Sequence, residues 1–276
     1  MAVRPAPAVS DDLEAAGSLA PAVTRAAAIL DVLAESPAVP SGPSELARRL
    51  GLPKSSIANI LTAMADAGLV RRMGSGFTLG RRLAELGGAY LAAIDLVQEF
   101  YDASRELRRA SDETVQLAVL DNLEMTYLAR HDGRQQVRLT SGIGRRLPAT
   151  VTATGKAALA SLDDRELDRR LGTVTRLPQL TPNSIGTVDA LRSDIARVRE
   201  RGHAIDDEET VEGVICLGVA IPSRRPGEGP YAASVTLLKA RATDDRVEAL
   251  VEDLHLLASR LSDPMRVADR RDGHGT

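Results

Sequence analysis

The spacing of apolar positions between residues 43 and 80 changes twice, and each change marks an element. Ser44-Glu45-Leu46-Ala47-Arg48-Arg49-Leu50 sets two leucines four apart, the pattern of a short amphipathic helix. Gly51-Leu52-Pro53 interrupts it, since glycine tolerates the left-handed turn at a helix end and proline suits the first position of the next helix. From Lys54 to Ala67 the apolar residues Ile57, Ile60, Leu61 and Met64 fall at i, i+3, i+4 and i+7, so they form one buried stripe. The opposite face carries Ser55, Ser56, Asn59 and Thr62 beside Lys54. After Gly68 the pattern turns to β: Leu69 to Arg72 and Phe77 to Leu79, joined by Met73-Gly74-Ser75-Gly76. Two helices, a tight turn and a basic hairpin in this order have the form of a winged helix-turn-helix. A helix laid in the major groove needs hydrogen-bonding groups toward the base edges, and a wing needs cations toward phosphate. The candidate DNA contacts are therefore Ser44, Lys54, Ser55, Ser56, Asn59, Thr62, Arg71 and Arg72, with double-stranded DNA as the expected partner.

Further along, Arg81 to Ile94 places Leu83, Leu86, Tyr90, Leu91 and Ile94 on one side of a helix weakened by Gly87-Gly88. It is expected to connect two domains and to contribute to a subunit contact. A helix over Leu96–Ala110 leads to strands Thr114–Leu120 and Met125–Ala129 around the turn Asp121-Asn122-Leu123-Glu124, with a third strand at Gln136–Thr140. Gly142 to Thr150 reads as a loop. Three helices follow: Ala153–Ala160, Asp163–Leu171, opening on a capping-box spacing, and Val188–Arg201 behind Thr187 as N-cap. Strands Val214–Ile221 and Tyr231–Leu238 flank a Gly/Pro/Arg loop, and Thr243 opens a last helix through Leu261 with Val247, Leu250, Val251, Leu254 and Leu257 inward. Strands, then helices, then strands again predict an α+β domain, an antiparallel sheet with helices packed on it. The expected division is a disordered arm over 1–20, the winged helix-turn-helix over 21–81, a linker helix over 82–100, an α+β domain over 101–262 and a flexible tail over 263–276.

Charge sharpens this division. Residues 21–82 hold eight Lys/Arg against four Asp/Glu, a net +4 in a chain of net −3, so the positive field sits at one end. Hydrophobic content of 43% and charged content of 26% are those of an ordinary globular protein, while aromatics at 2% leave the cores to Leu, Val, Ile and Ala. No apolar run approaches the roughly 20 residues of a membrane-spanning helix, and the first nineteen residues lack the order of a signal peptide. No membrane partner is expected. The single cysteine, Cys216, excludes an internal disulfide framework and makes a reducing, cytoplasmic compartment the simplest assignment. No metal-ligand cluster or phosphate-binding loop stands out, so no metal, cofactor or catalytic residue is assigned.

Six ordered motifs carry a resemblance. They are Val23-Thr24-Arg25-Ala26-Ala27-Ala28-Ile29-Leu30, the Glu45–Ser56 stretch, Gly68-Leu69-Val70-Arg71-Arg72, Gly144-Arg145-Arg146-Leu147-Pro148, Thr152-Ala153-Thr154-Gly155-Lys156-Ala157, and Gly202 to Glu209 leading into Gly213-Val214-Ile215-Cys216. From about Val23 to Ser262 the chain resembles a full-length member of the IclR family of bacterial transcriptional regulators. The resemblance implies an N-terminal winged helix-turn-helix, a linker helix and a C-terminal GAF-like domain that binds a small effector, an organic acid or related metabolite. It also implies homodimers or tetramers on operator DNA, with repression as the expected mode. By position it implies a pocket of Leu139, Leu147, Ala153, Thr154, Asp206, Val214, Cys216, Ser234 and Thr236. Residue chemistry agrees with it: Thr152 to Gly155 lies at a helix start, where free N–H groups favour an anion. Leu139, Leu147 and Val214 would form an apolar wall. Ser234 and Thr236 alternate onto one strand face, although a one-residue shift would swap the faces. The sequence departs from the family where Asn59 replaces a common Arg, which favours adenine over guanine, and where Thr150 and Leu237-Leu238 stand at pocket-side positions.

Some residues have two readings. Lys156 is a solvated or capping residue, or a ligand anchor. Cys216 is a small buried hydrophobe or a ligand contact. Asp206-Asp207-Glu208-Glu209 is a solvated acidic turn or a pocket loop. An enzyme using Cys216 as nucleophile and His203 as base is a rival function, with the acidic turn expected to raise the pKa of His203. A DNA-bound regulator with a vestigial sensory domain is another.

Overall fold

The computed structural model describes residues 19–134, 142–172, 174–222 and 229–262, and the chain divides into two units between Ala93 and Ile94. The expected strand Gln136–Thr140, with Leu139, most of the loop after Pro222, the arm before Leu19 and the tail after Ser262 lie outside the described residues.

The first unit holds α1 (Pro21–Glu35), α2 (Pro43–Leu50), α3 (Lys54–Asp66), β1 (Val70–Met73), β2 (Gly76–Leu79) and α4 (Arg82–Ala92). Ile29, Leu33, Leu46, Ile57, Leu61, Met64 and Val70 make its core. Hydrophobic spacing did not single out α1, because its run of alanines gives little contrast between faces; its inward side is Ala28, Ile29, Val32 and Leu33. Gly51 ends α2 in the left-handed conformation, φ +65°, and its N–H reaches Ala47. Pro53 stands one residue before α3 rather than at its first position, which Lys54 occupies. Met73 pairs with Gly76, so the hairpin turn is only Gly74-Ser75; β1 keeps its expected length one residue further on, and β2 starts one residue earlier than expected. Ser41 exchanges two backbone hydrogen bonds with Phe77 and extends the hairpin by a single residue. No side chain of α4 is buried, and Leu86 and Tyr90 are 48% and 57% exposed.

The second unit is an α+β domain. It contains α5 (Asp95–Ser104), β3 (Thr114–Asp121), β4 (Glu124–His131), β5 (Arg146–Pro148), α6 (Ala153–Ala160), α7 (Asp164–Leu171), α8 (Val188–Arg201), β6 (Ala204–Asp207), β7 (Val214–Ile221), β8 (Tyr231–Leu238) and α9 (Asp244–Ser262). Its sheet runs β5-β4-β3-β8-β7-β6, antiparallel throughout. Two of these strands correct the sequence reading: β5 lies in the segment taken as a loop, and β6 ends on Asp206-Asp207, the first half of the segment read as an acidic turn. Both are edge strands of three and four residues, too short to show period-2 alternation. The helix expected to reach Ala110 ends at Ser104, and the N–H groups of Arg109 and Ala110 are then held by the Asp253 carboxylate of α9.

The capping signals act as local chemistry requires. Thr152, Asp163 and Thr187 each accept a backbone N–H three residues on, at the starts of α6, α7 and α8. Glu166 does not close the box; its carboxylate takes Arg169 and Arg170 instead. Ala118, Leu120, Met125, Tyr127 and Ala204 on one sheet face pack with Ala157, Ala158, Leu159, Leu191 and Ile195. Alternate residues such as Leu217, Val219 and Val235 point the other way, and α9 packs on β7 and β8 with Leu250, Leu254 and Leu257 buried. Helix α6 is buried along nearly its whole length. Its start sits so close to β7 that a Cβ on Gly218 would lie 2.5 Å from the Ala153 carbonyl oxygen.

Candidate functional site

In the first unit the buried stripe of α3 leaves its other side to water. Lys54, Ser55, Asn59 and Thr62 are exposed, as are Ser44, Arg71 and Arg72; Ser56 is half-buried. The Thr62 hydroxyl bonds the Ala58 carbonyl of its own helix, and one Arg71 nitrogen lies 3.2 Å from the Met73 sulfur. Among the described residues no carboxylate lies within ion-pair distance of Lys54, Arg71 or Arg72, whereas Arg49 is paired with Glu35 and Arg82 with Glu85. The exposed helix face and hairpin thus present uncompensated positive charge together with short hydrogen-bonding groups.

In the second unit a cavity of about 370 Å³, counted to its solvent-open mouth, lies between the sheet and the start of α6. Eight of the nine positions implied by resemblance line it: Leu147, Ala153, Thr154, Asp206, Val214, Cys216, Ser234 and Thr236. Leu139 lies outside the described residues. The strand register explains the convergence. Asp206 pairs with Cys216 and Cys216 with Thr236, while Ser234 pairs with both Gln116 and Gly218, so neighbouring strands turn their polar residues to one face. Gln116, Tyr127, Thr210 and Val211 also line the cavity and were not assigned to it from the sequence, while Thr152 lines it as part of the helix start read there as favouring an anion. Gln116 was legible as a polar residue on the inward alternation of an apolar strand. Thr210 and Val211 sit in a turn with no periodic signal.

The polar contacts are local. Tyr127 Oη lies 3.3 Å from Thr154 Oγ1, and Cys216 Sγ lies 3.2 Å from Thr236 Oγ1. Asp206, only 2% exposed, accepts from the backbone N–H groups of Glu209 and Thr210 and from Thr210 Oγ1 at 2.8, 3.1 and 2.6 Å. Burial nevertheless raises its pKa; the hydrogen bonds from Thr210 and the nearby Lys156 charge oppose that. Among the described residues no Lys or Arg lines the cavity. A carboxylate ligand there would depend on hydroxyls and on the N–H groups opening α6.

Behind Asp206 lies an ion cluster that corrects the reading of Lys156 as solvated. Lys156 is 1% exposed, its ammonium bonded to Glu209 and 3.1 Å from Asp194. Arg197 adds a second cation to Asp194 at 2.9 Å. Burial raises the pKa of Glu209 against the pull of Lys156. The acidic turn is therefore not solvated at Asp206 or Glu209, although Glu208 reaches outward to Lys239.

The catalytic alternative loses its premises. Burial pushes the Cys216 thiol up, away from the thiolate a nucleophile needs. The pKa of His203 is lowered, not raised, by burial and by Arg201 beside it. His203 also precedes Ala204, which pairs with Gly218, and by strand alternation it faces away from Asp206 and Cys216.

Comparison with known proteins places both units in one family. Residues 22–74 match the family profile described as the IclR helix-turn-helix domain, and residues 88–263 match the one described as bacterial transcriptional regulator IclR C-terminal. The HTH-type transcriptional regulator KdgR of Escherichia coli (strain K12) is 31% identical over 260 residues, covering 94% of this chain and 97% of that protein. The transcriptional repressor IclR of the same organism is 32% identical over 230 residues, 82% of each chain. A crystal structure of the Thermotoga maritima IclR matches with TM-score 0.65 and 26% identity over 87% of this chain and 98% of that one. An IclR homolog from Microbacterium hydrocarbonoxydans, solved in complex with 4-hydroxybenzoate, shares the fold with TM-score 0.70 at 24% identity, over 87% of this chain and 98% of that one.

Proposed function

The chain belongs to the IclR family of bacterial transcriptional regulators, and from that premise we propose that it is a repressor whose hold on an operator is set by a small organic acid or related metabolite. The observation that carries the DNA half is the exposed polar face of α3, with Lys54 and Asn59 in water, beside an unpaired Arg71-Arg72 hairpin. Lys54, Ser55, Asn59 and Thr62 are assigned to the groove, Ser44, Arg71 and Arg72 to the backbone, and half-buried Ser56 to the same DNA-binding surface. A homodimer, or a tetramer of two such dimers, gives the two-fold arrangement that a palindromic operator requires. Leu147, Ala153, Thr154, Asp206, Val214, Cys216, Ser234 and Thr236 line the cavity and are taken as the effector contacts, with Leu139 added by resemblance alone. A ligand seated there shifts operator binding only by favouring one conformer over the other.

The test is a gel-shift titration on the DNA upstream of the chain's own gene across a salt series. Specific binding that weakens with salt is expected. Absence of sequence preference at every salt concentration would refute the reading. Replacing Asn59 by Ala should relax specificity at one base position, whereas Arg71→Ala or Arg72→Ala should weaken all sequences alike. A second reading, a DNA-bound regulator with an empty sensory domain, is disfavoured by the polar lining converging on the cavity. Thermal shift against a panel of organic acids separates the two, because a bound effector raises the unfolding midpoint by mass action.

A further inference from the structure

Arg25 belongs to a motif that the proposed function leaves unused. Helix α1 turns Ala28, Ile29, Val32 and Leu33 into the core. Arg25 stands one turn earlier on that same stripe, where the periodicity calls for an apolar residue. It reaches from α1 to the first turn of α3, where its Nη1 donates to Ser56 Oγ at 3.4 Å. Ser56 is half-buried while its neighbours Lys54 and Ser55 are exposed.

Among the described residues no carboxylate lies within ion-pair distance of Arg25. A guanidinium drawn partly out of water against one hydroxyl is left with unused donors in a fixed fork, a geometry matched by a phosphate. The surroundings suit an anion as well: the first turn of α3 holds no acidic residue and opens on Lys54. With α3 laid in the major groove, its start runs beside the phosphates of one strand.

We propose that Arg25 is a DNA-backbone contact aimed by Ser56, so that Ser56 is a positioning residue rather than a reader of bases. This rests on the reading of α3 as the helix that enters the groove. It adds the first helix of the unit to the DNA-binding surface.

The experiment uses the full chain and a random-sequence duplex, so that no operator need be known. Affinity is measured across salt for wild type, Arg25→Gln and Ser56→Ala, with thermal unfolding of each protein in parallel. Arg25→Gln should weaken binding roughly five- to ten-fold at about 50 mM salt and lower the log–log salt slope by about one, with the unfolding midpoint unchanged. Ser56→Ala keeps the charge and removes only the aim, so it should weaken binding about two-fold with the slope retained. Wild-type affinity and slope in Arg25→Gln would overturn the proposal. A lowered midpoint with normal binding by the folded fraction would overturn it too, making Arg25 a packing residue. If Arg25→Gln does not fold, a Ser56→Ala protein that binds as wild type is the overturning result. Failure of the wild type to bind any duplex would instead remove the DNA-binding reading and this inference with it.

Discussion

At the scale of single residues, the second unit is governed by buried charge. Asp206 and Glu209 have pKa values raised by burial, so the folded chain keeps protons that the unfolded chain releases. Stability from these groups is present at low pH and falls as pH rises from the ordinary carboxylate range through the raised values. Asp206→Asn has no such ionisation, so its unfolding midpoint relative to wild type should improve steadily as pH rises through that window. A difference that is flat, or that reverses, would contradict the assignment. Lys156 serves two carboxylates at once. Lys156→Met should cost about 3–5 kcal/mol in urea unfolding, because Glu209 is left buried without its cation and Asp194 keeps only Arg197. Adding Glu209→Gln to it should recover part of that loss. The polar cavity residues of β7 and β8 were legible in the sequence, since alternation alone puts Ser234 and Thr236 on one face. The ion cluster was not. Its members come from α6, α8 and the turn after β6, and no spacing within one segment records that they meet.

At the scale of elements, the helices and long strands were readable because each carries enough turns or alternations to show a period. β5 and β6 were not, for they are three and four residues at the two edges of the sheet, recruited by pairing rather than by pattern. α1 escaped for a different reason: the alanines around it blur the contrast that Ile29, Val32 and Leu33 would otherwise give. The contact between β7 and α6 is also invisible in the sequence, where Gly218 reads only as a weakened strand position. Gly218→Ala should destabilise the second unit by about 1–3 kcal/mol, since its Cβ would collide with backbone rather than with a pliable side chain. It should also blunt the thermal shift produced by any effector, because the start of α6 forms the cavity wall. A variant as stable and as responsive as wild type would show that the helix start yields without consequence.

At the scale of the whole molecule, the two ends of the chain differ in sign, and among the described residues most cations of the first unit have no ion-pair partner. Raising salt from about 50 to about 200 mM should therefore reduce duplex affinity by orders of magnitude while leaving folding of the second unit nearly unchanged. Equal sensitivity of both would mean that the charge is spent on intramolecular contacts. Helix α4 leaves the same molecule with an unfinished surface: eleven residues, two central glycines and no buried side chain. So short a helix has too little intrinsic propensity to persist in water. For the dimer proposed above, its backbone amides are then a gauge of assembly. Deuterium uptake over residues 84–91 should be near the unprotected rate in dilute solution and slow as protomers assemble, while the amides of α3 stay protected at both concentrations.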